Sequence, residues 1–252
     1  MIGLLSSEWL RMRSRRLVRV LAALALLGIV VAVVIAAVQS EPPSPLRLSE
    51  LPEILRGTAF VAILIGLVIG ASAVGASWQT GTMTTILAWE PRRTRVALVR
   101  AAVVAVGTVA LVAALLGVFL ALFWIATSLR GLTETPDGWA SETAGVVARV
   151  SALAGTASII GGAIAMVGRN TTAALGGVFV YLTVLEGILR GLRPALGRFL
   201  LGDNIATLVI GDSIATGDGT TITPSRAAVV VAVYALGLLA VGTASFRVRD
   251  VQ

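Results

Sequence analysis

Six stretches of this chain, at 17–38, 54–74, 96–127, 143–167, 172–189 and 227–246, are apolar for long enough to cross a hydrocarbon core, which takes about 20 helical residues. Lipid offers backbone N–H and C=O groups no partner, so each stretch must close its own hydrogen bonds as a helix. Only 13% of residues are charged and 57% are apolar, against roughly 25% charged in an average soluble domain. That is too little charge to coat a globule. The expectation is an all-α membrane protein, a single transmembrane domain over 1–252 with six transmembrane helices. The third stretch is long enough to tilt or to extend beyond the core. The fifth is short and carries Glu186. The first reads as an uncleaved span, because a cleaved signal has an apolar run of about 7–15 residues and Gln39-Ser40-Glu41-Pro42 makes a poor cleavage site.

Charge orients these spans. With the N-terminus inside, Arg11, Arg13, Arg15, Arg16, Arg19, Arg92, Arg93, Arg95, Arg100, Arg169, Arg247 and Arg249 lie on or near the inner side, joined only by Glu8, Glu90 and Asp250. The other side holds eight arginines and ten acids. The positive-inside rule then places both termini in the cytoplasm, and the basic collar faces anionic lipid rather than nucleic acid. The longest connection, 190–226, is extracellular on this reading. Its first half is amphipathic and is expected to form short helices at the outer surface, and its second half reads as loop.

The residue types that are missing exclude much chemistry. All 20 basic residues are arginine, and the chain has no lysine, histidine or cysteine. It therefore has no Gly-x-x-x-x-Gly-Lys phosphate cradle, no Ser-His-Asp triad, no zinc site of the His-Glu-x-x-His kind and no thiolate nucleophile or metal site. Gly211-Asp212-Ser213-Ile214-Ala215 faintly resembles a nucleophile elbow but has no imidazole base. No catalytic, cofactor or metal-binding residue is expected, and the chain is not expected to be an enzyme.

Two segments outside the spans carry more information. In residues 1–16, Ile2, Leu5, Trp9 and Met12 share one helical face, and Ser6, Ser7, Arg11, Arg13 and Ser14 share the other. Such a helix lies in the headgroup plane, with Trp9, Arg11, Arg13, Arg15 and Arg16 at the membrane surface. The second segment follows the second span: GASWQTGTMTTILAWEPRRTR, from Gly75 to Arg95. Trp78, Thr82, Ile86 and Trp89 fall on one stripe of a short helix over 76–91, and Thr80, Thr84 and Thr85 point elsewhere. Pro91 stops it, and Arg92, Arg93 and Arg95 follow. It is either a re-entry turn resting on lipid or a docking helix for a cytoplasmic partner. Tryptophan and arginine are frequent at binding hot spots, which favours docking.

This segment resembles the cytoplasmic loop after the second span of ABC-transporter permeases of the type 2 exporter class. Gly81-Thr82, then Ile86-Leu87, then Trp89-Glu90-Pro91-Arg92-Arg93 and Arg95 match the family's loop, and the run is similar to actinobacterial members. Arg100 stands where the family usually opens its third span with lysine. Ser77 stands where the family usually has an acid, four residues before the glycine. The layout is also similar: an N-terminal in-plane elbow helix, six spans, and short outer helices before the sixth. The resemblance implies a transport subunit in the plasma membrane of a bacterium, paired with a second permease copy. It further implies coupling to a separate ATPase, which holds ATP and Mg²⁺, through Trp78, Gln79, Gly81, Thr82, Thr85, Trp89, Glu90, Pro91, Arg92 and Arg93. A non-transporting anchor that recruits a cytoplasmic partner is the first rival reading. An ion-driven carrier is the second, disfavoured because spans one to four and six have no carboxylate away from their ends. The 76–91 segment has no counterpart after the fifth span, which argues against sequence-similar inverted repeats.

Two further patterns stand out. Arg149, Glu186 and Arg190, with Glu142, form either an interfacial salt-bridge cluster or a substrate-contact or outer-gate site. Gly66 and Gly70, and Ala154, Ser158 and Gly162, repeat at four-residue spacing and permit close helix packing within a subunit or between two.

Overall fold

The helices form where the apolar stretches lie. The computed structural model describes residues 2–38, 47–82, 85, 88, 92–129, 132–217 and 219–248. Helix α1 spans Ile2–Ser14, α2 Arg16–Val38, α3 Leu51–Gly57, α4 Ala59–Gln79, α5 Arg93–Ser128 and α6 Trp139–Gly168. Helix α7, Thr171–Val180, continues through a π-helical turn at Tyr181–Leu185 into α8, Glu186–Leu192. A 3₁₀ turn, Pro194–Phe199, leads to α9, Leu201–Ile210, a two-stranded hairpin of β1, Ile214–Ala215, and β2, Thr221–Ile222, and finally α10, Pro224–Val248. Among the described residues six helices are long and apolar enough to cross a membrane: α2, α4, α5, α6, α7 with α8, and α10. This is an all-α, multi-pass membrane architecture.

The second span departs from expectation at both ends. Residues 51–57 form a separate short helix, with Pro52 in its first turn, where no donor is lost. Thr58 ends it, its hydroxyl donating to the Leu55 carbonyl. The span starts at Ala59 rather than near 54 and runs to Gln79. Trp78 and Gln79, expected in a separate helix from 76, therefore belong to the span's last turn. Gly81 then takes a left-handed φ of 65° with nothing crowding it, so its glycine answers a backbone need and not a space limit.

The centre of the bundle is the pair α4 and α6, which run parallel and are the two most buried spans, while α2 is the least buried. Small residues bring α4 and α6 together. A Cβ on Gly66 would fall on the Ala154 carbonyl, one on Gly70 on the Ser158 carbonyl, and one on Gly161 on the Leu67 carbonyl. The two four-residue patterns seen in the sequence therefore face each other within one chain. Helix α5 packs on α6, α1 and α2 on α5, and α10 on α6 and α9. At 36 residues, α5 is about 54 Å long and outruns a hydrocarbon core of about 30 Å.

Chain reversals define two ends. At one lie α1, the 80–92 connection, the α6–α7 turn and the finish of α10; the arginines gathered here make it the basic end. At the other lie α3, α9 and the hairpin. The α6–α7 turn is sharp: Arg169 sits at φ 53°, and the Asn170 side chain caps α7 by accepting from the Thr172 N–H.

Candidate docking site at the basic end

Three helices meet at one buried arginine. Arg100, two turns into α5, is 2% exposed. Its Nε donates to Glu8 Oε2 at 3.1 Å and its Nη2 to Glu8 Oε1 at 2.9 Å, a two-point fork. Its Nη1 donates to Ser77 Oγ at 3.3 Å. Glu8 comes from α1 and Ser77 from the last turn of α4, so α1, α4 and α5 are tied at one point. Glu8 is the sole acid in the arginine-rich first 19 residues, and Arg100 is a charge inside an apolar run. Those were the signals available for a pairing that sequence reasoning did not make.

The first helix is bound more deeply than a surface helix. Met12 is buried, with its thioether where a Cβ on Gly107 would stand, and Trp9 is half-exposed beside it. Arg13 and Arg16 are exposed, and Arg11 reaches Glu8 at 3.5 Å. Arg15 corrects the expectation: it turns inward at the α1–α2 corner and donates to the Ser72 and Ala73 carbonyls of α4 at 3.0 and 3.1 Å. Burial and then the nearby Arg100 charge hold its pKa below the ordinary arginine value, with Glu8 acting against them.

The stem of the 80–92 connection is equally fixed. Trp78 packs edge-on against Phe246 of α10 with ring centroids 5.8 Å apart, and the Arg169 guanidinium lies over it at 4.6 Å. Trp78 thus anchors to its own bundle. Gln79 donates to Asn170 at 3.4 Å. Thr80 and Thr82 join their hydroxyls, and Thr82, Thr85 and Ala88 have helical backbone and exposed side chains. Trp89, Glu90 and Pro91 lie outside the described residues, so the Trp-bracketed stripe is described only through Trp78, Thr82 and Thr85. Beyond them Arg92 is exposed, and Arg93 donates to the Phe246 and Arg247 carbonyls at the finish of α10. Arg92, Arg93, Thr94, Arg95, Leu98, Val99 and Arg247 line an open basin of about 720 Å³. Four guanidinium groups around one concavity suit an acidic surface.

At the hairpin end the four residues expected in one cluster separate into three places. Glu142 pairs with Arg56 at 2.5 Å, and Arg56 also meets Glu53 at 2.6 Å. The bond from Glu53, with Glu142 adding to it, raises Arg56 above its ordinary pKa. Arg190 pairs with Asp203 at 2.6 Å. Arg149 lies against Gly211 at the finish of α9, its Nε buried without a partner. Glu186, 1% exposed, accepts the Gly202 N–H at 3.1 Å on both carboxylate oxygens and has Arg190 4.0 Å away. The buried carboxylate thus caps the first turn of α9 from sixteen residues away, at the positive end of that helix. Glu186→Ala is expected to cost about 1–2 kcal/mol and to raise amide hydrogen exchange selectively across 201–210; unchanged exchange there would remove this role.

No protein-family model matches the chain, and no curated protein matches it.

Proposed function

We propose that this chain is the membrane-spanning permease subunit of an ATP-driven ABC exporter of the type 2 class, working as a dimer and coupled to a separate ATPase through the 76–91 segment. The observation that carries the reading is the clamped stem of that segment. A segment that converts a partner's closing movement into movement of spans must not swivel at its root. Here the root is held by Arg100 with Glu8 and Ser77, by Trp78 against Phe246, and by Arg93 on the finish of α10. Gly81 redirects the chain just beyond it, and the exposed threonines and the arginine basin remain for the partner. The ATP chemistry belongs to the other chain, in keeping with the missing phosphate cradle. On this reading the basic end faces the cytoplasm.

Serine at position 77 fits the same picture. The acid usual there in such permeases is supplied instead by Glu8, from a different helix, to the same arginine.

The test is co-purification with a P-loop ATPase, sought first among the products of neighbouring genes. Thr82→Arg and Thr85→Arg place bulk and positive charge on exposed positions without touching the clamp. Each is expected to weaken the complex roughly ten-fold or more, within the range of a hot-spot change. An ATPase bound and stimulated equally by wild type and both variants would end the assignment. So would a cysteine at Thr85 that labels only from outside intact cells.

A further inference from the structure

We infer that Arg198 and Arg226, at the hairpin end, together hold the phosphate group of a phospholipid in the leaflet at that end. The Arg198 guanidinium lies 4.9 Å from the Phe199 ring centroid and the Arg226 guanidinium 5.4 Å from it. One comes from the turn before α9, the other from the first turn of α10, where span six begins. Among the described residues neither makes an ion pair or a side-chain hydrogen bond to an acceptor. The Arg198 Nε is buried and has no partner at all.

Of the other described arginines of this end, Arg56 has two carboxylates, Arg190 has Asp203, Arg47 and Arg193 are exposed, and Arg149, whose Nε is likewise buried without a partner, lies against the finish of α9. Arg198 and Arg226 are the pair brought together without a counter-charge. Two like charges over one ring repel, and a cation–π contact returns only about 0.5–2 kcal/mol each. An oxyanion between them removes the repulsion and supplies the acceptor that Nε lacks, and guanidinium forks match phosphate oxygens in planar, two-point fashion.

The position selects the source of that oxyanion. Phe199 is 48% exposed, and Leu192 and Ile210, also on this end, are 74% and 46% exposed. The Phe199 carbonyl accepts from Tyr234, whose hydroxyl also meets that of Tyr181. Aromatic side chains with polar tips beside exposed apolar ones mark a membrane–water boundary. A phosphate fixed at that boundary is a lipid headgroup, with acyl chains running along the exposed apolar surface.

The test titrates the whole detergent-solubilised chain with dioleoylphosphatidylglycerol and counts bound lipid by native mass spectrometry. Arg198→Gln and Arg226→Gln are each expected to lose one tightly bound lipid, with its apparent affinity falling roughly ten-fold or more, the scale of a charge-assisted hydrogen bond. Arg193→Gln should leave that lipid in place, and dioleoylphosphatidylcholine, whose headgroup carries its own cation, should bind there more weakly. Lipid counts equal in wild type and both glutamine variants would overturn the inference. Displacement of the tight lipid from wild type by millimolar inorganic phosphate would overturn the lipid assignment in favour of a free-anion site. Should a glutamine variant fail to fold, Arg226→Lys decides: it keeps the charge but loses the fork, and weaker retention of phosphatidylglycerol is expected, unchanged retention being contrary.

Discussion

Glu8→Ala is expected to destabilise the chain by about 3–5 kcal/mol, the cost of stripping the partner from a buried charge. The reason is asymmetry and not the strength of the pair. Arg100 is 2% exposed, and Glu8 takes two of its donors. Without that carboxylate a guanidinium remains in an apolar wall with one serine hydroxyl for company. Removing both charges should cost far less, since a well-packed apolar pair often replaces a buried ion pair without loss. Glu8→Leu with Arg100→Met should therefore melt, in detergent, within a few degrees of wild type and well above either single variant. A second rescue is more specific. Ser77 Oγ already lies 3.3 Å from Arg100 Nη1, so Ser77→Asp should return a carboxylate to the guanidinium and recover much of what Glu8→Gln loses. The two rescues separate structure from transmission. On the proposed function, Ser77→Asp restores α4 to α5 but leaves α1 untied, so melting recovers while any dependence of partner coupling on α1 does not. A Glu8→Ala variant that melts like wild type would mean that water reaches Arg100 and that the clamp holds nothing.

The spans were legible because their signal is long. Twenty consecutive apolar residues have one good solution in lipid, and all six appear where expected within a few residues. The exception, 54–58, failed because apolar content cannot distinguish a span from a short helix lying against it. Pro52 and the Gly57-Thr58 pair were the local marks of that break. Pairing was harder to read. The glycine pattern on α4 and its counterpart on α6 were visible, but spacing alone does not say whether they face each other or another molecule. Glu8 and Arg100 stand 92 residues apart, and Glu186 finds a backbone amide rather than a side chain. Neither leaves a periodic trace. What Trp78 anchors to was hidden for a related reason: an aromatic at a span's end suits an interface and a helix contact equally, and the sequence does not place Phe246 and Arg169 beside it.

Gly70→Val should be the most damaging single change in the α4–α6 pair. A Cβ there lands on the Ser158 carbonyl carbon and Cα, both 2.6 Å away. These are backbone atoms of a buried helix, so no rotamer change relieves the clash. The helices must separate, and separation also opens the contacts at Gly66 and Gly161, which lie on the same seam. Overpacking in a tight core costs about 1–3 kcal/mol and occasionally more, and loss of contact along the seam adds to it, because packing and not hydrophobicity joins helices within lipid. The expected outcome is a fall in folded yield and melting temperature larger than that of Gly117→Val, on α5, where nothing lies within 4 Å of the added Cβ. The same contrast tests which interface the seam serves. If Gly70→Val left the monomer's melting unchanged and altered only the oligomeric state, the small-residue face would join two chains, and the central pair described above would have to be rebuilt.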